Sequence, residues 1–403
     1  MKLLLVNTVA TGGSIPAYMR AIADEASRQG LDVTVAYGRG EPMTGVRNIR
    51  IGNAADHAVH GLATRLFDRH GLASRAATRR FITEAQRLQP DIIHLHNIHG
   101  YYLHYPTLFA WLREYGKPVL WSLHDCWAFT GHCAFFRWSG GECHRWKEKC
   151  GHCPLLRQYP ASRWIDRSKA NLRDKTLTFH HLPPLSRFLP VSEWMSDRLV
   201  ESHLADIDRT KVGIDTDTSV FYPRKRTTTR RVLGVANVWD DRKGLDFFIR
   251  LRHELPRDIE ISLIGRINRK MPDGIDCTGI IADPGALAEE YSGASVFVSA
   301  SHAESYGLCI REALACGCAV AVRSVGGTLE DLDNSALPLW KADDDDSLIE
   351  AVRAALRAPE PDRAACAEHF ARRPQMQKLF SLYNSLSHAS VKKHGKNTLT
   401  LQF

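Results

Sequence analysis

Short apolar runs of strand length alternate with stretches of helical spacing along most of this chain, and that alternation constrains the fold more than any other feature. Leu3–Val6 reads as a buried strand, followed by a loop at Thr11-Gly12-Gly13-Ser14. Ser14 is then placed to cap a helix with Pro16 just inside it, and Ile15, Tyr18, Met19, Ile22 and Ala26 follow helical spacing. Gly30 can close that helix in the left-handed conformation. Val33–Tyr37, Asp91–Leu95 and Val119–Leu123 supply further strands. The second half repeats the pattern with Val232–Val235, Ile259–Ile264, Val296–Val298 and Ala319–Val322. Strand–helix–strand order of this kind predicts parallel sheets with crossover helices. The expected fold class is α/β, with two doubly wound, Rossmann-like domains.

The segment Val212–Pro223 lacks periodicity and reads as the linker. The predicted divisions are 1–222 with a Cys-rich insertion at 126–153, then 223–372. A helix at 373–388 is expected to return to the first domain, and 389–403 reads as a tail without a core pattern. The acidic run Asp343–Asp346 reads as a helix N-terminus, where carboxylates meet the positive end of the dipole.

Composition narrows the class further. The chain has 403 residues, 44% hydrophobic and 24% charged, which suits soluble globular domains. The opening Met1–Val6 is too short for a signal h-region of about 7–15 apolar residues. No run reaches the ~18 apolar residues of a membrane-spanning helix. A cytoplasmic protein is therefore expected. The formal charge of +8 favours an anionic partner of some kind.

The most informative string is Ser299–Gly317, which follows the strand Val296–Val298. Gly307 permits a tight turn into a helix starting near Leu308. The first amides of that helix, from Gly307, Leu308 and Cys309, would form an anion site suited to a diphosphate. Such sites lie beyond the carboxyl ends of parallel strands. Glu304 precedes the turn, and Glu312 stands in the second helical turn. Glu312 can accept hydrogen bonds from vicinal ribose hydroxyls, and Glu304 projects toward a sugar.

This string resembles the Glu-x7-Glu motif of the group 1, largely retaining glycosyltransferases of GT-B fold. Three further elements fit: Asp241-Arg242-Lys243-Gly244, Val325-Gly326-Gly327-Thr328-Leu329-Glu330, and the Thr11-Gly12-Gly13 loop. The resemblance spans about residues 3 to 388. It implies two domains facing a central cleft and transfer from a nucleotide-diphosphate sugar by a hexosyltransferase. It assigns Glu312 to the ribose, Glu304 to the donor sugar, and Lys243 with Arg242 to the diphosphate. Gly12, Gly13, Gly307, Leu308 and Cys309 complete donor binding. Preorganised cations and amides can stabilise the charge that develops on the leaving phosphate, so no catalytic cofactor is expected. Two positions depart from the pattern. Ala236-Asn237 stands where many relatives carry Gly-Arg, which leaves Arg242 to substitute for one cation. Val212-Gly213-Ile214-Asp215 shortens the usual linker phrase.

The strand Val119–Leu123 ends in His124-Asp125, at a carboxyl end. The resemblance places His124 against the donor sugar. Asp125 either orients the imidazole or binds acceptor. Five of the ten cysteines then fall between Cys126 and Cys153. The spacing Cys133-x9-Cys143-x6-Cys150-x2-Cys153 suits tetrahedral zinc, with His132, His144 or His152 able to replace a thiolate. Free thiols, or a redox role for Cys150 and Cys153, are the alternatives. The run His124–Cys133 with these cysteines is similar to bacterial transferases that assemble colanic acid and related exopolysaccharides.

Residues 61–87 interleave Arg65, Arg69, Arg75, Arg79, Arg80 and Arg87 with Leu62, Leu66, Phe67, Leu72 and Phe81. A basic amphipathic surface of this kind can lie on anionic lipid at the inner face of the cytoplasmic membrane. The acceptor is then expected to be a glycan, carried on a lipid. The competing readings are a nucleic-acid-binding protein, which leaves the phosphate apparatus unexplained, and a nonenzymatic scaffold, against which the intact Glu304, Glu312 and Lys243 argue.

Overall fold

The computed structural model describes residues 1–225, 230–332 and 337–398, with 388–398 as backbone. The chain forms two compact units. The first holds Met1–Phe136, Cys143–Gly213 and the chain from Gln375 onward, and the second holds Arg137–Glu142 and Ile214–Pro374. The division thus falls at Gly213/Ile214, upstream of the expected boundary after residue 222.

In the first unit the order is β1 (Lys2–Val9), α1 (Ser14–Arg28), β2 (Asp32–Arg39), β3 (Arg47–Arg50), α2 (Ala54–Phe67), α3 (Arg75–Leu88), β4 (Ile92–Leu95), α4 (Tyr105–Tyr115) and β5 (Val119–Leu123). A hairpin of β6 (Arg137–Trp138) and β7 (Gly141–Glu142) comes next and belongs to the second unit. The first unit resumes with α5 (Ser168–Phe179), β8 (Arg187–Pro190) and α6 (Glu193–Val200). Its sheet runs β3-β2-β1-β4-β5-β8, with every pairing parallel. Leu3, Leu4, Leu5 and Val6 are all buried. A central strand of a parallel sheet is covered by helices on both faces, so its apolar run is continuous and not alternating.

The second unit contains β9 (Arg231–Val238), α7 (Leu245–Glu254), β10 (Glu260–Arg266), β11 (Asp276–Gly279), α8 (Pro284–Gly293), β12 (Val296–Ser299), α9 (Leu308–Ala315), β13 (Ala319–Arg323), β14 (Leu339–Ala342), α10 (Asp345–Arg357) and α11 (Arg363–Ala371). Its sheet, β11-β10-β9-β12-β13-β14, is again wholly parallel. Both sheets reverse their winding beside their first strand, between β1 and β4 and between β9 and β12. Ligands of open α/β sheets bind beyond the strand carboxyl ends at such reversals.

Helix α12 (Pro374–Thr398) joins the first unit, where the Tyr383 hydroxyl meets His94 Nδ1 at 2.6 Å. The helix continues to Thr398, past the point where the sequence reads as a tail; residues 399–403 lie outside the described residues. Other local expectations shift for clear reasons. Gly13, at φ 87°, caps α1 in place of Ser14, because the backbone enters the helix from a conformation only glycine adopts freely. Asp344 caps α10 in a reciprocal box with Ser347. The basic stripe at 61–87 is two helices broken by Asp68 and Ser74, both left-handed. Phe81 is buried in the core, whereas Leu62 and Phe67 are exposed.

Candidate functional site

In the second unit, the reversal point gathers two loops. One follows β9 and carries Arg242 and Lys243; the other follows β12 and carries Glu304. They are stitched by backbone contacts. His302 N–H donates to the Arg242 carbonyl at 2.7 Å, and Arg242 Nη1 donates to the Ala303 carbonyl at 3.1 Å. Gly244, at φ 71°, lets the first loop close down on the Ala300 carbonyl. A Cβ there would lie 2.2 Å from that oxygen.

The result brings opposite charges together. Lys243 Nζ donates to Glu304 Oε1, Ser301 Oγ donates to the same oxygen at 3.0 Å, and Arg242 Nη1 stands 4.0 Å away. Burial alone would push the Glu304 carboxyl up, but Lys243 and then Arg242 hold it below the ordinary range. Glu304 is therefore a fixed carboxylate. Its carbonyl accepts from Gly327 N–H at 3.2 Å, and a Cβ on Gly326 would lie 1.8 Å from that carbonyl oxygen. The Gly-Gly turn is thus a steric requirement of the Glu304 backbone.

Helix α9 starts directly after Gly307, which caps it at φ 76°. The amides of Leu308 and Cys309 lie in its first turn, where no intrahelical acceptor exists. Glu312, one turn further, accepts from the Tyr291 hydroxyl at 3.1 Å. Desolvation pushes the Glu312 carboxyl up to about 7 and the Cys309 thiol to about 12. Cys309 is thus a neutral thiol.

One residue of this site is invisible to motif reasoning. Arg311 is buried, with its guanidinium 3.6 Å from the Tyr306 ring centroid. It donates to the carbonyls of Tyr306, Gly307 and Glu330. The Tyr306 hydroxyl in turn meets Asp331 Oδ2 at 3.2 Å. One cation therefore ties the turn before α9 to the segment after Gly327. The only sequence signal was a charged residue inside an otherwise apolar helix face.

The first unit carries its own cluster at the strand carboxyl ends. Gly12 and Gly13, both at positive φ, follow β1. His124 follows β5 and lies stacked on His96, with His124 Nε2 3.0 Å from His96 Nδ1. Burial lowers the His124 imidazole to about 4, outweighing Asp125, so the ring is neutral at pH 7. The Asp125 carboxylate is engaged by His99 and the Trp127 amide. Its Oδ2 lies 2.9 Å from His99 Nε2, and its Oδ1 accepts from Trp127 N–H at 2.9 Å. Burial would raise the Asp125 carboxyl, but His99 outweighs it and the carboxyl sits below its usual range. His99 Nδ1 faces the Tyr159 hydroxyl at 3.0 Å. The run His94-x-His96-x2-His99 at the end of β4 was the available signal for this cluster.

The cysteines are gathered but not closed on a centre. Burial raises the thiols of Cys133, Cys150 and Cys153, the last two to about 11 and 12, and the neighbouring cysteines add to it. Among the described residues, no three His, Cys, Asp or Glu side chains stand at the spacing of one ion's ligands. Zinc therefore does not fit the thiols as they stand here. His132 is paired through Nδ1 to Asp68 Oδ1 at 2.6 Å, with both side chains fully buried. Lys175 is also buried; Nζ donates to the carbonyls of Trp127 at 2.6 Å and Thr130 at 2.9 Å, and burial lowers it to about 7.

Among the described residues, no helix is long and apolar enough to cross a membrane. Comparison with known proteins agrees with the geometry. Residues 229–358 match the family described as glycosyl transferases group 1, and residues 15–218 match Glycosyltransferase Family 4. The chain is 26% identical over 286 residues to the Escherichia coli (strain K12) protein named "Putative colanic acid biosynthesis glycosyl transferase WcaC", covering 67% of this chain and 68% of that one. Sucrose-phosphate synthase from Thermosynechococcus elongatus superposes with a TM-score of 0.64 at 16% identity, covering 99% of each chain. Anabaena HepE, solved with UDP and glucose, gives a TM-score of 0.60 at 12% identity, covering 98% of this chain and 100% of that one. These neighbours share the GT-B fold, and the nucleic-acid-binding and scaffold readings are not favoured. Two parallel-sheet units, a Glu304–Lys243 pair beside the α9 N-terminus, and matches over both halves lead to one conclusion: the chain belongs to Glycosyltransferase Family 4, with a group 1 glycosyl transferase domain in its second half, and is a glycosyltransferase.

Proposed function

We propose that this enzyme transfers a sugar from a nucleotide-diphosphate sugar to a glycan acceptor carried on a lipid, with retention of anomeric configuration, in bacterial exopolysaccharide assembly. The observation that carries the donor half is the convergence, at one reversal point, of Lys243, Glu304, Glu312 and the N-terminus of α9. In this reading, Lys243 exchanges its Glu304 contact for the diphosphate, and the α9 amides take the remaining phosphate oxygens. Glu312 accepts from the ribose hydroxyls. Glu304 then positions the donor sugar, with Arg242 supporting the charge on the leaving group.

HepE, a neighbour of the same fold, was solved with UDP-glucose, which supports a nucleotide-sugar donor. The WcaC resemblance supports an exopolysaccharide role. Retention rests on the family resemblance, in which the leaving phosphate helps accept the acceptor proton. A peripheral position on the inner face of the cytoplasmic membrane follows from the lipid-borne acceptor.

The test is product analysis. The protein is incubated with a panel of nucleotide sugars and a lipid-linked oligosaccharide extract, and the new anomeric centre is assigned by NMR. A glycosylated lipid whose anomeric configuration matches the donor supports the reading. Inversion, or transfer to water alone under all conditions, overturns it.

A further inference from the structure

A cavity of the first unit that shares no lining residue with the His124 cluster lies between the end of α2 and the exposed side of α5, with a volume of about 810 Å³. Its walls are built from local rules. Asp68 ends α2 in a left-handed conformation, and its carboxylate is held by His132. The same carboxylate accepts from Arg167 N–H at 2.9 Å, and Asn171 Nδ2 donates to the Asp68 carbonyl at 2.9 Å. Those contacts bolt the α2 terminus to the start of α5. Arg163 N–H donates to the Arg65 carbonyl at 2.8 Å, which fixes the segment carrying Ile165 beside α2. The cavity is therefore preformed.

Its lining has two characters. Phe67, Ile165 and Leu177 border it while being 49%, 45% and 60% exposed, and Trp164, beside Ile165, is 76% exposed. Large apolar side chains clustered around one opening mark a binding surface. The charged lining is basic, with Arg69, Lys149, Arg167, Lys169 and Arg173 against Glu148 and Asp166. Arg167 and Arg173 are already paired with Asp174, at 2.6 and 2.8 Å. A purely apolar ligand would leave Arg69, Lys149 and Lys169 without an anion in the cavity, and an inorganic anion would leave the apolar walls wet.

We infer that this cavity binds the lipid of the acceptor, a single amphiphile with a hydrocarbon chain against Phe67, Ile165 and Leu177 and a phosphate or diphosphate head among Arg69, Lys149 and Lys169. This rests on the lipid-borne acceptor proposed above and gives that acceptor a place on the protein. It makes the first unit the one that selects for lipid-linked over free glycan.

The probe is farnesyl diphosphate, titrated into the full-length protein below its aggregation concentration, with farnesol and inorganic diphosphate as separate arms. Farnesyl diphosphate is expected to bind in the presence of excess UDP, with each half-ligand about tenfold weaker or more. The pairs Phe67→Ser with Leu177→Asp, and Arg69→Glu with Lys169→Glu, are each expected to weaken it by about tenfold. All four are exposed residues of the first unit, and the proposed donor residues belong to the second, so melting curves and any melt shift by nucleotide should match wild type. Equal binding by wild type and both variant pairs overturns the inference, as does displacement by UDP or no binding at all. Loss of nucleotide shift alongside variant-sensitive farnesyl diphosphate binding would overturn the donor reading and leave this one standing.

Discussion

Lys243 Nζ donates directly to Glu304 Oε1, so the cation assigned to the diphosphate and the carboxylate assigned to the sugar hold each other. The pair orders two loops at the reversal point of the second sheet. It also means that diphosphate and Glu304 compete for the same ammonium group.

Replacing Glu304 by Gln should therefore separate binding from transfer. Nucleoside diphosphate affinity should hold or rise a few-fold, because Lys243 loses a charged competitor. Transfer should fall by on the order of 10²-fold, because the sugar loses a fixed anion. Steady-state kinetics alongside direct nucleotide titration distinguish the two effects. Parallel loss of both would place Glu304 in folding.

Glu312 gives the site a pH dependence. Its carboxyl is raised from 4.5 to about 7 by desolvation, and ribose hydroxyls need the ionised form as acceptor. Nucleotide affinity should be flat above pH 7 and weaken below it, by up to about tenfold per pH unit. Glu312→Gln should bind weakly and flatten this profile. The stability consequence has the opposite sense. A raised carboxyl contributes stability that is present below the ordinary range and lost as pH rises through about 7. Glu312→Gln should therefore melt higher than wild type at pH 8, with little difference at pH 5.

Arg311 is buried and donates to three carbonyls, so its removal takes a donor from each; the Gly307 carbonyl keeps Ile310 N–H at 3.1 Å. Arg311→Met should destabilise the protein by about 2–3 kcal/mol in denaturant melts. Arg311→Lys should keep much of that stability and still weaken nucleotide binding, because an ammonium cannot span Tyr306 and Glu330 as the planar fork does. Unchanged nucleotide affinity in a folded Lys variant would make Arg311 purely structural.

The cysteine spacing and the cysteine geometry make opposing statements, and metal analysis decides between them. From the spacing, protein purified without chelator should carry stoichiometric zinc, lost in Cys150→Ser and Cys153→Ser. Metal-free, folded protein whose thiols react slowly until it is unfolded would assign the cluster to buried free cysteines, in keeping with the raised thiols of Cys133, Cys150 and Cys153.

What the sequence made legible was what periodicity and turn chemistry encode locally. The eight apolar runs read as strands are strands, because central parallel strands are apolar on both faces. The strands missed were the short hairpin β6–β7 and four strands of the parallel sheets, Arg47–Arg50, Arg187–Pro190, Asp276–Gly279 and Leu339–Ala342, in β3, β8, β11 and β14. All four of these carry a charged residue, and they are the edge strands of the two parallel sheets. Gly307 was legible as a tight turn and sits at positive φ; Gly244 and Gly326, present only as letters of the motifs, sit at positive φ against the Ala300 and Glu304 carbonyls. The Glu304–Lys243 pair joins residues 61 positions apart, and the His99–Asp125 contact crosses from β4 to β5. Such partners are set by sheet order, which no local window contains. Asp125 was accordingly left between two roles, neither of which was pairing with His99.

The most direct test of the donor site is calorimetric titration of wild type, Lys243→Ala and Glu312→Ala with UDP, GDP and ADP and their sugars. One nucleotide class should bind wild type and lose about tenfold or more in each variant. Failure of every nucleotide to bind folded protein, or binding by both variants as tight as by wild type, would contradict the placement of the donor at Lys243, Glu304 and the α9 N-terminus.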